Sequence, residues 1–317
     1  MSKLGVFPAS GGLGGSTVQH LLSLVPAQNL VLIARKPDQL AAESRQGAVV
    51  RRADYDDEST LERVFEGIGA LFLISYASCE HQHRSQAHRT AINAALRNGV
   101  KHIFYSSLAF AGDLRKESAA LVMQAHLDTE AYLDELAHSP AHPNFTYTVI
   151  REGLYSESFP IYTAFFNPAA PVDEIKIPHD GSGPGIAWVK REELGEATAK
   201  IIATYTHNPL AYPYLNRTLL LTGAKVLTLA EVVGILGRII GKRDIRIKRV
   251  SADEYAAQPQ CAPNLTYHGV DLSKDWATAW QAIANGECSV VTPLLRDTLG
   301  REPEDFETTV RRQIESA

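Results

Sequence analysis

Apolar runs recur along the first half of the chain at 3–7, 30–34, 48–52, 70–74, 102–105 and 146–150, and most show no alternation with polar residues. Strands that are apolar throughout are buried on both faces, which is the habit of parallel sheets. Between them lie stretches with helical spacing. Residues 16–24 carry Val18, Leu21 and Leu22, residues 84–98 run up to Gly99, and 117–136 form the longest. A further helix, capped by Ser59 or Thr60 and carrying Leu61, Val64 and Phe65, is expected between the third and fourth runs. Strands alternating with helices of this length make βαβ units with right-handed crossovers. The fold class expected is α/β, a doubly wound parallel sheet with helices on both faces.

After about residue 151 the rhythm changes. Prolines and aromatics thicken over 155–171, residues 180–185 are a turn-rich loop, and helical stretches at 192–204, 229–241 and 274–285 are separated by proline-containing segments. We expect residues 1–153 to form a nucleotide-binding domain. Residues 154–317 would form a smaller mixed lobe, interleaved with the last sheet strands, that carries the substrate.

Composition narrows the class without changing the fold. The 317 residues are 45% hydrophobic and 21% charged, with a formal charge of −5. Such a chain buries a sizeable core, offers no basic surface for nucleic acid and has no apolar run of the ~20 residues that a membrane span needs. The first residues pass straight into a glycine-rich stretch with no signal-peptide core. Cys79, Cys261 and Cys288 are odd in number and far apart, which fits a reduced protein. A soluble cytoplasmic protein is the expectation. His81, His83 and His88 lie near Cys79 but match no standard zinc spacing, so no metal is expected.

The first strand runs into Pro8-Ala9-Ser10-Gly11-Gly12-Leu13-Gly14 and then a helix. Backbone N–H groups at such a helix start, with no side chains in the way, receive a pyrophosphate. Pro8 stands where the first glycine of the pattern would be, so the turn must be made differently. The second strand ends in Ala34-Arg35-Lys36-Pro37. A carboxylate there would hold the ribose hydroxyls of NAD. Two cations instead suit a 2′-phosphate, Arg35 as a bidentate donor and Lys36 as a point charge. This favours NADP(H). Asp54-Tyr55-Asp56 follows the third strand, where an adenine edge would lie, and Ser75-Tyr76 ends the fourth on the ligand side.

With these residues the chain resembles the NmrA-like family of atypical short-chain dehydrogenase/reductases, Rossmann-like proteins that include NADPH-sensing regulators and reductases of quinones and triphenylmethane dyes. Besides the glycine loop and Ala34-Arg35-Lys36, the resemblance is carried by segments 53–56, 126–130 and 150–157, and later by 189–194 and 292–306. Glu152 stands where the family usually has proline. The resemblance implies cofactor contacts from Gly11, Gly12, Leu13, Arg35, Tyr55, Ser75, Tyr76, His126, Tyr155 and Ser158.

Short-chain dehydrogenases ordinarily use a Tyr-x-x-x-Lys pair as proton donor. Here the corresponding positions are Val122 and His126. The proton must come from elsewhere: His126, Tyr155, Ser106, Ser107 or water. His126 and Glu130 are four apart on one helical face, which leaves three readings, in order of preference a histidine that binds the nicotinamide ribose, an i,i+4 polar pair at the helix surface, and a Glu-oriented imidazole acting as an acid. Phe159, Tyr162, Phe165, Phe166 and Trp188 are expected to line a pocket for a flat aromatic or polycyclic substrate. Three functions remain open: an NADPH-dependent reductase of a quinone or carbonyl compound, a non-catalytic NADP(H) sensor, and a redox-neutral isomerase on the same fold.

Overall fold

All five residues of Leu30–Ala34 are buried, the signature of a central strand covered on both faces. The computed structural model describes residues 3–316. Strand Leu30–Ala34 (β2) joins β1 (Lys3–Phe7), β3 (Val49–Arg52), β4 (Ile68–Ile74), β5 (His102–Leu108), β6 (Thr146–Glu152) and a seventh strand, Arg217–Leu221. Their order is β3-β2-β1-β4-β5-β6-seventh, and every neighbouring pair is parallel. This is a Rossmann-like doubly wound α/β sheet. Its strand order reverses between β1 and β4, where such folds open a crevice beyond the carboxyl ends of the strands.

Helices α1 (Gly12–Leu24), α2 (Ala41–Arg45), α3 (His81–Arg97) and α4 (Leu121–His138) belong to the first half. Helix α3 stops where expected: Asn98 folds its amide back onto the Ala94 carbonyl at 2.8 Å, and Gly99 takes φ +88°.

Two expectations fail. The helix expected over 59–65 is absent, and only a 3₁₀ turn at Glu58–Leu61 forms. The Thr60 hydroxyl accepts the Asp54 N–H at 2.9 Å and bonds the Asp57 carbonyl at 2.6 Å. Arg51 then takes the Val64 and Glu66 carbonyls at 2.6 and 2.8 Å, so the backbone is held by side chains in place of helical bonds. The second failure is the start of α4, at Leu121 and not near 117. Glu287, from the far lobe, accepts the N–H groups of Ala111 and Ala119 at 3.1 and 3.0 Å and the Ser118 hydroxyl at 2.5 Å. That carboxylate pins the segment before α4 in a non-helical path of turns and bends.

The second half completes the sheet and then leaves it. After α5 (Phe159–Tyr162), helix α6 (Arg191–His207) crosses α1 closely; a Cβ on Gly195 would run into Ser16. The seventh strand then pairs with β6. Helices Leu229–Ile239, Ser273–Ala284 and Phe306–Glu315 build the remaining lobe. Thr228 and Glu231 close a capping box on the first of these, worth about 1 kcal/mol. The lobe grips α5 through two indoles: Trp276 Nε1 donates to the Ile161 carbonyl at 3.1 Å and Trp280 Nε1 to that of Tyr162 at 3.3 Å. A hairpin of Thr266–Tyr267 and Val270–Asp271 projects from it. Among the described residues no helix is long and apolar enough to cross a membrane.

Candidate active site

A cavity of about 690 Å³ opens beyond the carboxyl ends of β1, β4, β5 and β6. Its size suits a small-molecule or cofactor site. At one end lies the glycine turn. Gly11 takes φ +107°, a region that favours glycine, and passes directly into α1. Among the described residues the start of α1 has no side-chain cap and no acidic residue in its first turn. The amides beyond Ser10, at Gly12, Leu13 and Gly14, therefore face the cavity free to meet an anion. A Cβ on Gly14 would strike the Pro8 carbonyl, so glycine there lets helix and turn meet. With proline in place of the first glycine, the turn is tied down by Ala9, whose N–H donates to Ile33 O at 2.7 Å.

Arg35 and Lys36 are exposed at the same end, and neither joins an ion pair among the described residues. Arg191, the first residue of α6, lies over the turn: a Cβ on Gly12 would come within 2.8 Å of its Nη1. Its guanidinium also stands 5.9 Å from the Tyr155 ring centroid. Sequence reasoning placed Arg191 in the 189–194 segment that carries the resemblance but missed it as a site residue, because nothing local shows that the start of α6 folds over the glycine turn.

Tyr55 packs its ring 4.5 Å from that of Phe7 and donates its hydroxyl to Ile74 O at 2.7 Å. Burial pushes its phenol pKa well up, so it is a neutral wall of the cavity. Tyr76 reaches across to Asp56 Oδ2 at 2.9 Å, beside half-buried Asp54.

At the floor Arg84, 2% exposed, extends from α3 toward α4. It donates to Val122 O at 2.8 Å, to Ser75 Oγ at 2.8 Å and to His126 Nε2 at 2.7 Å, and its Nε has no partner. Among the described residues no carboxylate pairs with it. A buried cation without a counter-charge is costly, and burial accordingly lowers its pKa.

Arginine only donates, so His126 Nε2 must carry the lone pair and Nδ1 the proton, which faces the Tyr105 hydroxyl at 3.1 Å. Burial, followed by the Arg84 charge, drives the His126 pKa well below its ordinary value. The Glu-oriented imidazole that the spacing left open does not form, and neither does the surface pair, since His126 is buried. Glu130 instead binds Arg151 at 2.9 and 2.7 Å and accepts from Ser107 at 2.6 Å, so the stronger cation on β6 takes the carboxylate. His126 lines the cavity, but both of its nitrogens are engaged.

The far end is lined by Tyr155, Ser158, Ile161, Tyr162 and Trp276. The Tyr155 hydroxyl has no hydrogen-bond partner among the described residues. Its pKa is raised by burial and by Glu152, against the opposing pull of Arg191. Of the five aromatics expected to line the pocket, only Tyr162 does so. Phe159 and Phe166 are core residues, 2% and 4% exposed, and Phe165 packs on the same core. Trp188 is buried between Tyr162 and Phe306, with ring centroids 5.2 and 5.1 Å away. These four back the wall and do not form it, because the lobe's own core needs their area.

The chain is 29% identical over 310 residues to an NmrA-like family domain-containing oxidoreductase of Aspergillus flavus, covering 96% of this chain and 93% of that protein. Its fold matches the NADPH-dependent quinone oxidoreductase of Escherichia coli solved with NADPH, at TM-score 0.76 and 27% identity over 98% of this chain and 99% of that one. The triphenylmethane reductase of Citrobacter sp., solved with NADP(H), matches at TM-score 0.73 and 26% identity over the same shares, 98% and 99%. The NmrA-like family pattern matches residues 1–264, and the chain belongs to the NmrA-like family.

Proposed function

We propose that the chain is an NADPH-dependent reductase that transfers a hydride to a flat quinone or aromatic carbonyl compound. The residues present fit the cofactor. An uncapped helix start suits the pyrophosphate, Gly14 leaves no room for a side chain, and Arg35 and Lys36, without an ion-pair partner among the described residues, stand where a carboxylate would mark NAD. Arg191 adds a third cation over the turn. The family and the two NADP(H)-bound relatives support the same reading. Residues 1–153 would hold the cofactor, while 154–317 finish the cleft with Tyr155, Ser158, Tyr162, Arg191 and Trp276. The three cysteines are free and buried, as suits a reducing compartment.

The observation that carries the reaction class is Arg84, a buried guanidinium on the cavity floor with no carboxylate partner among the described residues. Such a donor gains most when negative charge develops beside it. NADPH, when bound, supplies the hydride. Arg84 then stabilises the acceptor oxygen as it becomes anionic, and the Tyr155 phenol gives that oxygen its proton. Tyr162, Trp276 and Ile161 orient the flat acceptor and exclude water. His126 positions Arg84 and does not supply the proton. The test is NADPH oxidation across a panel of quinones and aromatic carbonyls. Turnover that collapses in Arg84→Met with NADPH affinity kept supports the reading. Tight NADPH binding with no turnover of any acceptor would point to a sensor.

A further inference from the structure

Asp56, His83 and His268 come from three distant parts of the chain: the loop after β3, the first turn of α3, and the tip of the hairpin Thr266–Tyr267/Val270–Asp271. His268 and Gly269 form that tip, at φ +48° and +81°, the signature of a two-residue hairpin turn. The hairpin carries His268 back over the rim of the cavity, whose wall includes Asp56 and Tyr76.

There His83 Nε2 lies 2.9 Å and His268 Nε2 3.6 Å from the same oxygen, Asp56 Oδ1. One ligand atom from each residue falls within 4.8 Å of the others. The two imidazole centroids are 4.4 Å apart. The groups behind these atoms are placed as they are around bound metals. His268 Nδ1 is held by Glu80 Oε2 at 2.8 Å, the carboxylate–histidine arrangement that fixes which nitrogen is left to ligate. Tyr76 donates to Asp56 Oδ2 at 2.9 Å and so fixes the carboxylate. Nδ1 of His268 is tied to Glu80, which turns Nε2 toward Asp56 Oδ1 and to 3.4 Å from the Tyr76 hydroxyl. A metal ion at that point would take Nε2 as a ligand and answer the carboxylate's charge.

We propose that Asp56, His83 and His268 form a site for a divalent first-row transition metal that ties the hairpin to the rim of the cavity. Two imidazoles and one carboxylate are borderline ligands, suited to zinc and its neighbours more than to magnesium or calcium. The metal takes the place of the hydrogen between His83 Nε2 and Asp56 Oδ1, and the ring then carries its N–H on Nδ1. Fastening the hairpin slows escape from the cavity it overhangs. This second part rests on the cofactor reading above, whereas metal binding itself does not.

The test is equilibrium dialysis of chelator-treated full-length protein against zinc chloride, beside stopped-flow dissociation of NADPH with and without zinc. Wild type is expected to bind one equivalent, and His83→Ala and His268→Ala each to lose at least about tenfold in affinity, while His81→Ala binds as wild type does. Glu80→Gln should weaken binding while leaving the three ligands in place. Zinc should slow NADPH release from wild type and not from His268→Ala. Equal zinc affinity in wild type and the His83→Ala/His268→Ala double variant overturns the site. Zinc binding that leaves NADPH release unchanged overturns the clamp.

Discussion

Arg84 donates to His126 Nε2 at 2.7 Å across the gap between α3 and α4. The bond leaves His126 neutral, with its one proton turned to Tyr105 at 3.1 Å and away from the substrate end of the cavity. In the proposed reaction the Tyr155 phenol, without a partner among the described residues and kept protonated by burial, is the donor.

Tyr155→Phe is therefore expected to lower kcat by roughly 10²–10⁴ with little change in NADPH affinity, the usual worth of a general acid. His126→Gln keeps an acceptor for Arg84 and should lower kcat by less than about tenfold. Steady-state kinetics on both variants checks this. The reverse ranking would make His126 the acid.

Arg35→Ala should raise the KM for NADPH by about 10–100-fold, the loss of a charge-assisted contact of ~1.5–3 kcal/mol, and leave that for NADH within about threefold. Equal losses with the two cofactors would remove Arg35 from the 2′-phosphate.

Glu152 is 1% exposed, accepts one bond from Thr198 at 2.9 Å, and has no partner for Oε2 among the described residues. Burial pushes its pKa up to about 8. Its folded pKa thus lies above the unfolded one, so the folded state binds the extra proton and stability falls as pH rises from about 4.5 toward 8. Glu152→Gln keeps the acceptor for Thr198 and removes that loss. It should stabilise the protein at pH 7 by on the order of 2 kcal/mol and show little effect near pH 4.5, in chemical denaturation at the two pH values.

His88, His102 and His126 are buried and neutral, with pKa values lowered chiefly by burial, that of His102 to about 3. The unfolded chain takes up their protons first, so stability should fall as pH drops below about 6.5. Each contributes about 1.4 kcal/mol per pH unit. His102→Gln should flatten the profile by roughly one such slope. An unchanged acid limb would show that His102 is charged in the fold.

What could be read ahead of the structure was local. Strand β2 was legible to the residue, because Leu30–Ala34 is apolar and closed by prolines on either side. The glycine turn and Arg35 were legible because strand, turn and helix follow one another in the chain. Contacts between distant segments were not. Nothing near Glu117 announces that Glu287 will hold the chain out of a helix, and nothing near Gly12 announces Arg191. Glu130 faces two cationic candidates, and spacing alone pointed to His126 where packing chose Arg151. The aromatics of 159–188 share one composition, yet Tyr162 borders the cavity while Trp188 is sealed behind it. Composition cannot tell the face of a wall from its backing.

The most direct measurement is single-turnover reduction of a naphthoquinone by enzyme-bound NADPH, run with protiated and C4-deuterated cofactor in wild type and Arg84→Met. Wild type should lose NADPH absorbance with a primary isotope effect, and Arg84→Met should bind NADPH as tightly but react about 10²-fold or more slowly. NADPH that stays reduced in wild type with every quinone offered, or an Arg84→Met variant that reacts as fast as wild type, would contradict it.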